Sequence, residues 1–168
     1  MKVITAVEEY HNKADDVLCF LAGGINKCPN WQQEVIEELK NIGFNEHLVV
    51  FNPRRDNFPI DDPNASEEQI AWEFKWLNRA DIFSMYFCNS ESVQPICFYE
   101  LGRNLAIRKE NCVISVEDGF SRAKDISIQS RLAIGYPITH FHATPKKHAE
   151  RINKAYLRLC LLRGFKTE

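Results

Sequence analysis

Val17-Leu18-Cys19-Phe20-Leu21-Ala22-Gly23-Gly24 is an unbroken apolar run closed by two glycines. A run apolar at every position needs cover on both faces, as a strand inside a parallel sheet has, whereas a surface strand alternates. Four similar short runs follow, over residues 47–51, 81–87, 111–116 and 138–141, spaced about 30 residues apart. Helical signals fill the gaps. Asn30-Trp31-Gln32-Gln33 reads as a capping box, with Trp31, Val35, Leu39 and Ile42 at helical spacing and Gly43 as the stop. Ser66-Glu67-Glu68-Gln69 opens a second helix in the same manner, ended by Ala80, and a third runs from Pro95 to Lys109. A short helix over residues 125–133 and a last one from Pro145 to about Leu162 complete the chain. This alternation predicts one α/β domain over residues 1–168, a three-layer sandwich with a mainly parallel five-stranded sheet, to which residues 2–7 add an edge strand.

Composition narrows the classes. With 168 residues, 45% of them apolar, the chain buries a real core as one domain. A formal charge of −2 gives no global pull toward phosphate backbones or anionic lipid. No apolar run has the length of a membrane span and no secretory signal core is present, so a cytoplasmic location without membrane contact is expected. The six cysteines include no C-x-x-C pair and read as reduced core thiols. The five histidines lack ligand spacing, so neither a metal nor a cofactor is expected. His140 and His142 read as surface or packing residues. No G-x-S-x-G elbow is present to support acyl transfer.

In an open parallel sheet, ligands bind beyond the carboxyl ends of the strands, so the loops leaving the strands hold the candidates. Gly23 and Gly24, followed by Lys27, form either a ligand-approaching loop or an ordinary tight turn. Asn52, Arg54 and Arg55 follow the next strand, the arginines as anion holders or as a structural clamp. On the second helix, Ile70, Trp72, Glu73, Phe74, Trp76 and Leu77 fall on one arc, which places Glu73 among apolar neighbours. A carboxyl there has a raised pKa and suits proton donation, or else pairs with Arg54, Arg55 or Arg103. Trp72 and Trp76 are base-stacking candidates or core. Asp118, in Glu117-Asp118-Gly119, reaches the same crevice or caps a turn. Asp81 starts its strand at the opposite end of the sheet and reads as structural. In Tyr99-Glu100-Leu101-Gly102-Arg103, Glu100 lies about a turn inside a helix apolar on nearly every side from Ile96 to Ile107, so the helix is expected to be buried. A carboxylate there is costly unless paired or used. The last helix joins an apolar stripe (Ala149, Ile152, Ala155, Tyr156, Leu159, Leu162) to a basic remainder, either a nucleic-acid surface or a solvated face, and nucleic acid is not the expected partner.

Taken together, Leu21-Ala22-Gly23-Gly24, Asn52-Pro53-Arg54-Arg55, Gln69-Ile70-Ala71-Trp72-Glu73 with Ala80-Asp81, and Tyr99-Glu100-Leu101-Gly102-Arg103 resemble the nucleoside 2-deoxyribosyltransferase-like family in order and spacing over residues 17–135. The resemblance implies a flavodoxin-like fold and cleavage of an N-glycosidic bond with Glu100 as nucleophile and Glu73 handling the base. It implies a nucleoside or nucleotide and a free nucleobase as small-molecule partners, and a homo-oligomer. Attack of Glu100 on the anomeric carbon gives a glycosyl-enzyme that a second base resolves with retention. The helix dipole or Arg103 is expected to keep Glu100 ionised, with Glu73 tuned the opposite way. Two alternatives stand beside transfer. One is hydrolysis of a nucleoside or nucleoside 5′-monophosphate, with Lys27, Arg54 and Arg55 on the phosphate. The other is a non-catalytic nucleotide-binding module.

Overall fold

The computed structural model describes residues 1–165 apart from 44, 60, 108 and 109. Among the described residues, six strands form one parallel sheet: β1 (Lys2–Thr5), β2 (Val17–Gly23), β3 (Leu48–Asn52), β4 (Ile82–Phe87), β5 (Cys112–Val116) and β6 (Thr139–His140). Their order is β1-β3-β2-β4-β5-β6, every pairing parallel. Five helices connect or follow them: α1 (Trp31–Ile42), α2 (Ala65–Arg79), α3 (Pro95–Ile107), α4 (Ala123–Ile134) and α5 (Pro145–Arg163). Without β1 this is the doubly wound flavodoxin-like order. The sheet has six strands rather than five because the edge segment pairs with β3, Lys2 opposite Val49 through Thr5 opposite Asn52.

The continuous apolar runs divide between two cores. Leu18, Phe20, Ala22, Val49, Phe51, Phe83, Met85 and Ile114 face one side, with Trp72, Trp76, Leu101 and Ile126 from α2, α3 and α4. Val17, Cys19, Leu21, Leu48, Val50 and Tyr86 face the other, with Trp31 and Leu39 of α1 and Ile152 and Tyr156 of α5. That split explains why the strands do not alternate. Right-handed crossovers lead from β2 to one edge through α1 and from β4 to the other edge through α3. The chain therefore reverses direction between β2 and β4, and a crevice opens at their carboxyl ends.

Several helix ends differ from expectation. Asn30 caps α1 by accepting from Gln33 N at 3.3 Å, but the Gln33 side chain turns to Glu37, so the box is half formed. Gly43 (φ 70°) stops it. In α2 no Ser66 box forms: the helix starts at Ala65 with Asn64 at the cap position and no capping side-chain bond, because Gln69 is engaged elsewhere. The expected end of α3 at Lys109 lies outside the described residues. Nor is α3 buried all round: Cys97, Leu101, Asn104 and Leu105 are buried, while Ile96, Tyr99 and Ile107 are more than 60% exposed. It lies over one face of the sheet, so its outer apolar residues remain on the surface. Likewise Ile70 and Phe74 of α2 are exposed, and the arc holding Glu73 is apolar but only half covered. Leu162 leaves the buried stripe of α5, where His148 and Cys160 enter it.

Candidate active site

Two carboxyls meet at the β2/β4 crevice. Glu73 comes from the middle of α2 and Glu100 from the sixth position of α3, and both line two adjoining cavities, of about 310 and 620 Å³. The smaller is floored by Phe20, Ala22, Gly23 and Gly24 and closed by Pro53, Gln94 and Cys97. The larger opens between α2 and α3 past Ile70, Phe74, Tyr99 and Arg103. Asn26 and Ile96 stand at the junction of the two.

Local chemistry sets this shape. Gly23 (φ 153°) has no room for a side chain, since a Cβ would collide with the Tyr86 carbonyl and the Trp31 ring. A Cβ on Gly24 would press on Cys28 Sγ and on Gln94 Oε1. Gln94 is buried, adopts φ 50°, and donates from Nε2 to Cys88 O at 2.7 Å, which ties the start of α3 to the end of β4. Such strain in a non-glycine residue beside a cavity is characteristic of functional sites.

The electrostatics reverse one expectation. Burial, reinforced by Glu73 and opposed by Arg103, pushes the Glu100 carboxyl up to about 8, so it holds a proton at neutral pH. Glu100 lies beyond the first turn of α3, where the helix dipole has faded. The Arg103 guanidinium is shared, donating to Asn78 Oδ1 at 2.6 Å and lying 4.1 Å from the Phe74 ring centroid. Burial raises Glu73 as well, against a hydrogen bond from Gln69 at 2.9 Å that favours its charged form. Two desolvated carboxyls that repel one another hold one proton between them over a range of pH, and they titrate as a pair.

The other candidates lie elsewhere. Arg54 donates to the carbonyls of Ile25, Cys28 and Pro29 at 2.9–3.2 Å and receives its own backbone support from Asn52 Oδ1, so both residues clamp the first loop. Arg55 lies over the Phe58 ring. Lys27 is exposed and, with Arg54 and Arg55, does not line either cavity. Trp72 is 8% exposed, packs on Phe20 and Phe51, and donates to Glu8 O at 2.9 Å, which puts its ring in the core beneath the site. Asp118 pairs with His142 at 2.6 Å on the surface. Asp81 accepts from Leu18 N at 2.8 Å and bonds Arg163, the structural role its place at the strand start indicates. Gln94, Asn26 and Ile96 are cleft residues to which spacing assigns no role, and Gln69 is one whose spacing indicates only a helix cap. Of these only Gln69 carries a local signal, four residues before Glu73 on the same helix.

A family model described as nucleoside 2-deoxyribosyltransferase like matches residues 16–120, from the residue before β2 to just past β5. The chain belongs to the nucleoside 2-deoxyribosyltransferase-like family. The matched span carries the glycine loop, both carboxyls and the reversal point of the sheet, while β1, β6, α4 and α5 lie outside it. A search of curated proteins gave no match. No helix among the described residues is long and apolar enough to cross a membrane.

Proposed function

We propose that the chain cleaves the N-glycosidic bond of a 2-deoxynucleoside through Glu100 and transfers the sugar to another base. The observation that supports this reading is the pair of half-buried carboxyls, one per helix, facing the same cavity at the strand ends. The pair works with one proton. In the productive arrangement that proton has passed from Glu100 to Glu73, so Glu100 is the carboxylate and Glu73 the acid. Glu100 attacks C1′ as the base departs, and the base nitrogen takes the proton from Glu73. A second base then attacks C1′ from the vacated side and returns its N–H proton to Glu73, so Glu100 is released and two inversions give retention. Burial is what allows one member to remain protonated near neutral pH.

A neutral nucleoside fits better than a nucleotide. The residues expected to hold a 5′-phosphate, Lys27, Arg54 and Arg55, do not line either cavity, and the one cation among the described residues that does, Arg103, is engaged with Asn78 and Phe74. The exposed Ile70, Phe74, Ile96 and Tyr99 around the mouth support a homo-oligomer whose partner copy covers this patch. Incubation of a 2-deoxynucleoside with a different free base tests the reading. An exchanged nucleoside, together with a deoxyribosyl adduct on the Glu100 peptide by mass spectrometry, is the expected result. Free deoxyribose alone transfers the chemistry to water as acceptor, and unchanged nucleoside with intact binding leaves only the non-catalytic module.

A further inference from the structure

We infer that Gln69 is a positioning residue for Glu73, fixing which of the two carboxyl oxygens carries the proton that passes to and from the base. The inference rests on the reading of Glu73 as the acid. Gln69 lies one turn before Glu73 on α2, and its amide nitrogen donates to two acceptors, Pro53 O at 3.0 Å and Glu73 Oε1 at 2.9 Å. Pro53 follows β3 and forms part of the wall of the smaller cavity. Its carbonyl can only accept, so turning the amide over would set oxygen against oxygen and is disfavoured. The nitrogen is therefore held toward Glu73.

That orientation constrains the carboxyl. The carbonyl oxygen of a protonated carboxyl is a stronger acceptor than its hydroxyl oxygen, so the Gln69 bond favours Oε1 as the carbonyl oxygen and the hydroxyl hydrogen on Oε2 when Glu73 is protonated. A carboxyl held this way delivers its proton from one oxygen in one direction, which is the positional component of acid catalysis. The same bond favours the ionised form and offsets part of the burial cost. Titratable groups lining the two cavities are Glu73, Glu100, Cys97, Tyr99 and Arg103. Among them Glu100 is the partner that couples to Glu73, and Arg103 acts on the pair through Glu100.

A double-mutant cycle tests the role. Gln69→Met keeps length and removes the donor. It is expected to lower kcat about tenfold at the pH maximum and to move the alkaline limb of kcat/KM up by about half a pH unit, since Glu73 then holds its proton longer. In a Glu73→Gln background the same change is expected to cost less than about twofold, because its target is gone. Equal losses in both backgrounds, with the alkaline limb unmoved, would make Gln69 mere scaffolding and overturn the inference alone. Full activity in Glu73→Gln itself overturns both the inference and the acid role beneath it. Should Gln69→Met fail to fold, Gln69→Asn, whose shorter amide cannot span both acceptors, is taken through the same cycle and judged by the same outcomes.

Discussion

Two ionisable clusters, one buried and one half-buried, lie on opposite faces of the sheet, and they differ in how they are partnered. Beneath α5, His148 is fully enclosed between two strand hydroxyls, Ser84 Oγ at 2.7 Å from Nε2 and Ser115 Oγ at 2.8 Å from Nδ1. Burial, with Arg151 and His140 nearby, pushes it down to about 3, so it stays neutral in the folded chain across the ordinary pH range. In the cleft, Glu73 and Glu100 are also desolvated, yet they face cavities and each other. One cluster spends its hydrogen-bonding capacity on the protein and joins β4, β5 and α5. The other leaves part of that capacity facing the cavities. A buried polar group with partners on every side reads as architecture, and one left open to a cavity reads as chemistry.

Four substitutions sharpen or break that contrast. Glu100→Gln is expected to lower turnover of a 2-deoxynucleoside at least about 10³-fold with the fold retained, and turnover within tenfold of the parent would erase the distinction. His148→Ala should do the reverse: a loss of about 3 kcal/mol in denaturant unfolding, from the cavity and the Ser84 hydroxyl deprived of its imidazole, with activity per folded molecule largely kept. Glu73→Gln is placed between, about 10²-fold down in kcat, with the smallest deficit for nucleosides whose base departs without protonation. Smallest is Trp72→Phe, for which KM should change less than about twofold while the melting temperature falls, because the indole touches core and the Glu8 carbonyl.

The sign of the pH effect follows from Glu100. Its folded titration lies at about 8, above that of an unfolded carboxyl. The stability it contributes is complete below the unfolded value and is lost as pH rises through the folded one. Glu100→Gln cannot ionise, so its unfolding free energy should match the parent near pH 4 and exceed it near pH 9, by an amount on the order of 2 kcal/mol. A carboxyl that weakens its own fold in alkali is the pattern of a site held for function.

The sequence makes some of this readable and hides the rest for physical reasons. The strands are legible because burial on both faces leaves unbroken apolar runs such as residues 17–22. β6 is reduced to Thr139–His140 because an edge strand needs little more than one partner. Glu100 was legible from its apolar setting, and Glu73 from its arc. What escaped was set by direction. Trp72 is aromatic in a suspicious place, yet its ring turns inward to Phe20 and Phe51. Arg54 follows a strand end as an anion holder would, but three loop carbonyls claim it. Gln69 looks like a cap by spacing and serves Glu73 instead. His148 has no local mark, since its two partners are 64 and 33 residues away.

Asp81 has a consequence for the order in which the chain can be completed. Its carboxylate meets Leu18 N on one side and Arg163 on the other, and Arg163 Nη1 also donates to Asp16 O at 2.9 Å. The amino ends of two central strands are thus stitched to the final turn of the last helix. During synthesis these strands emerge long before their cation does, and until residue 163 arrives a partly enclosed anion lacks its counter-charge. The bottom of the sheet is thus closed by a cation 82 residues beyond the carboxylate it meets.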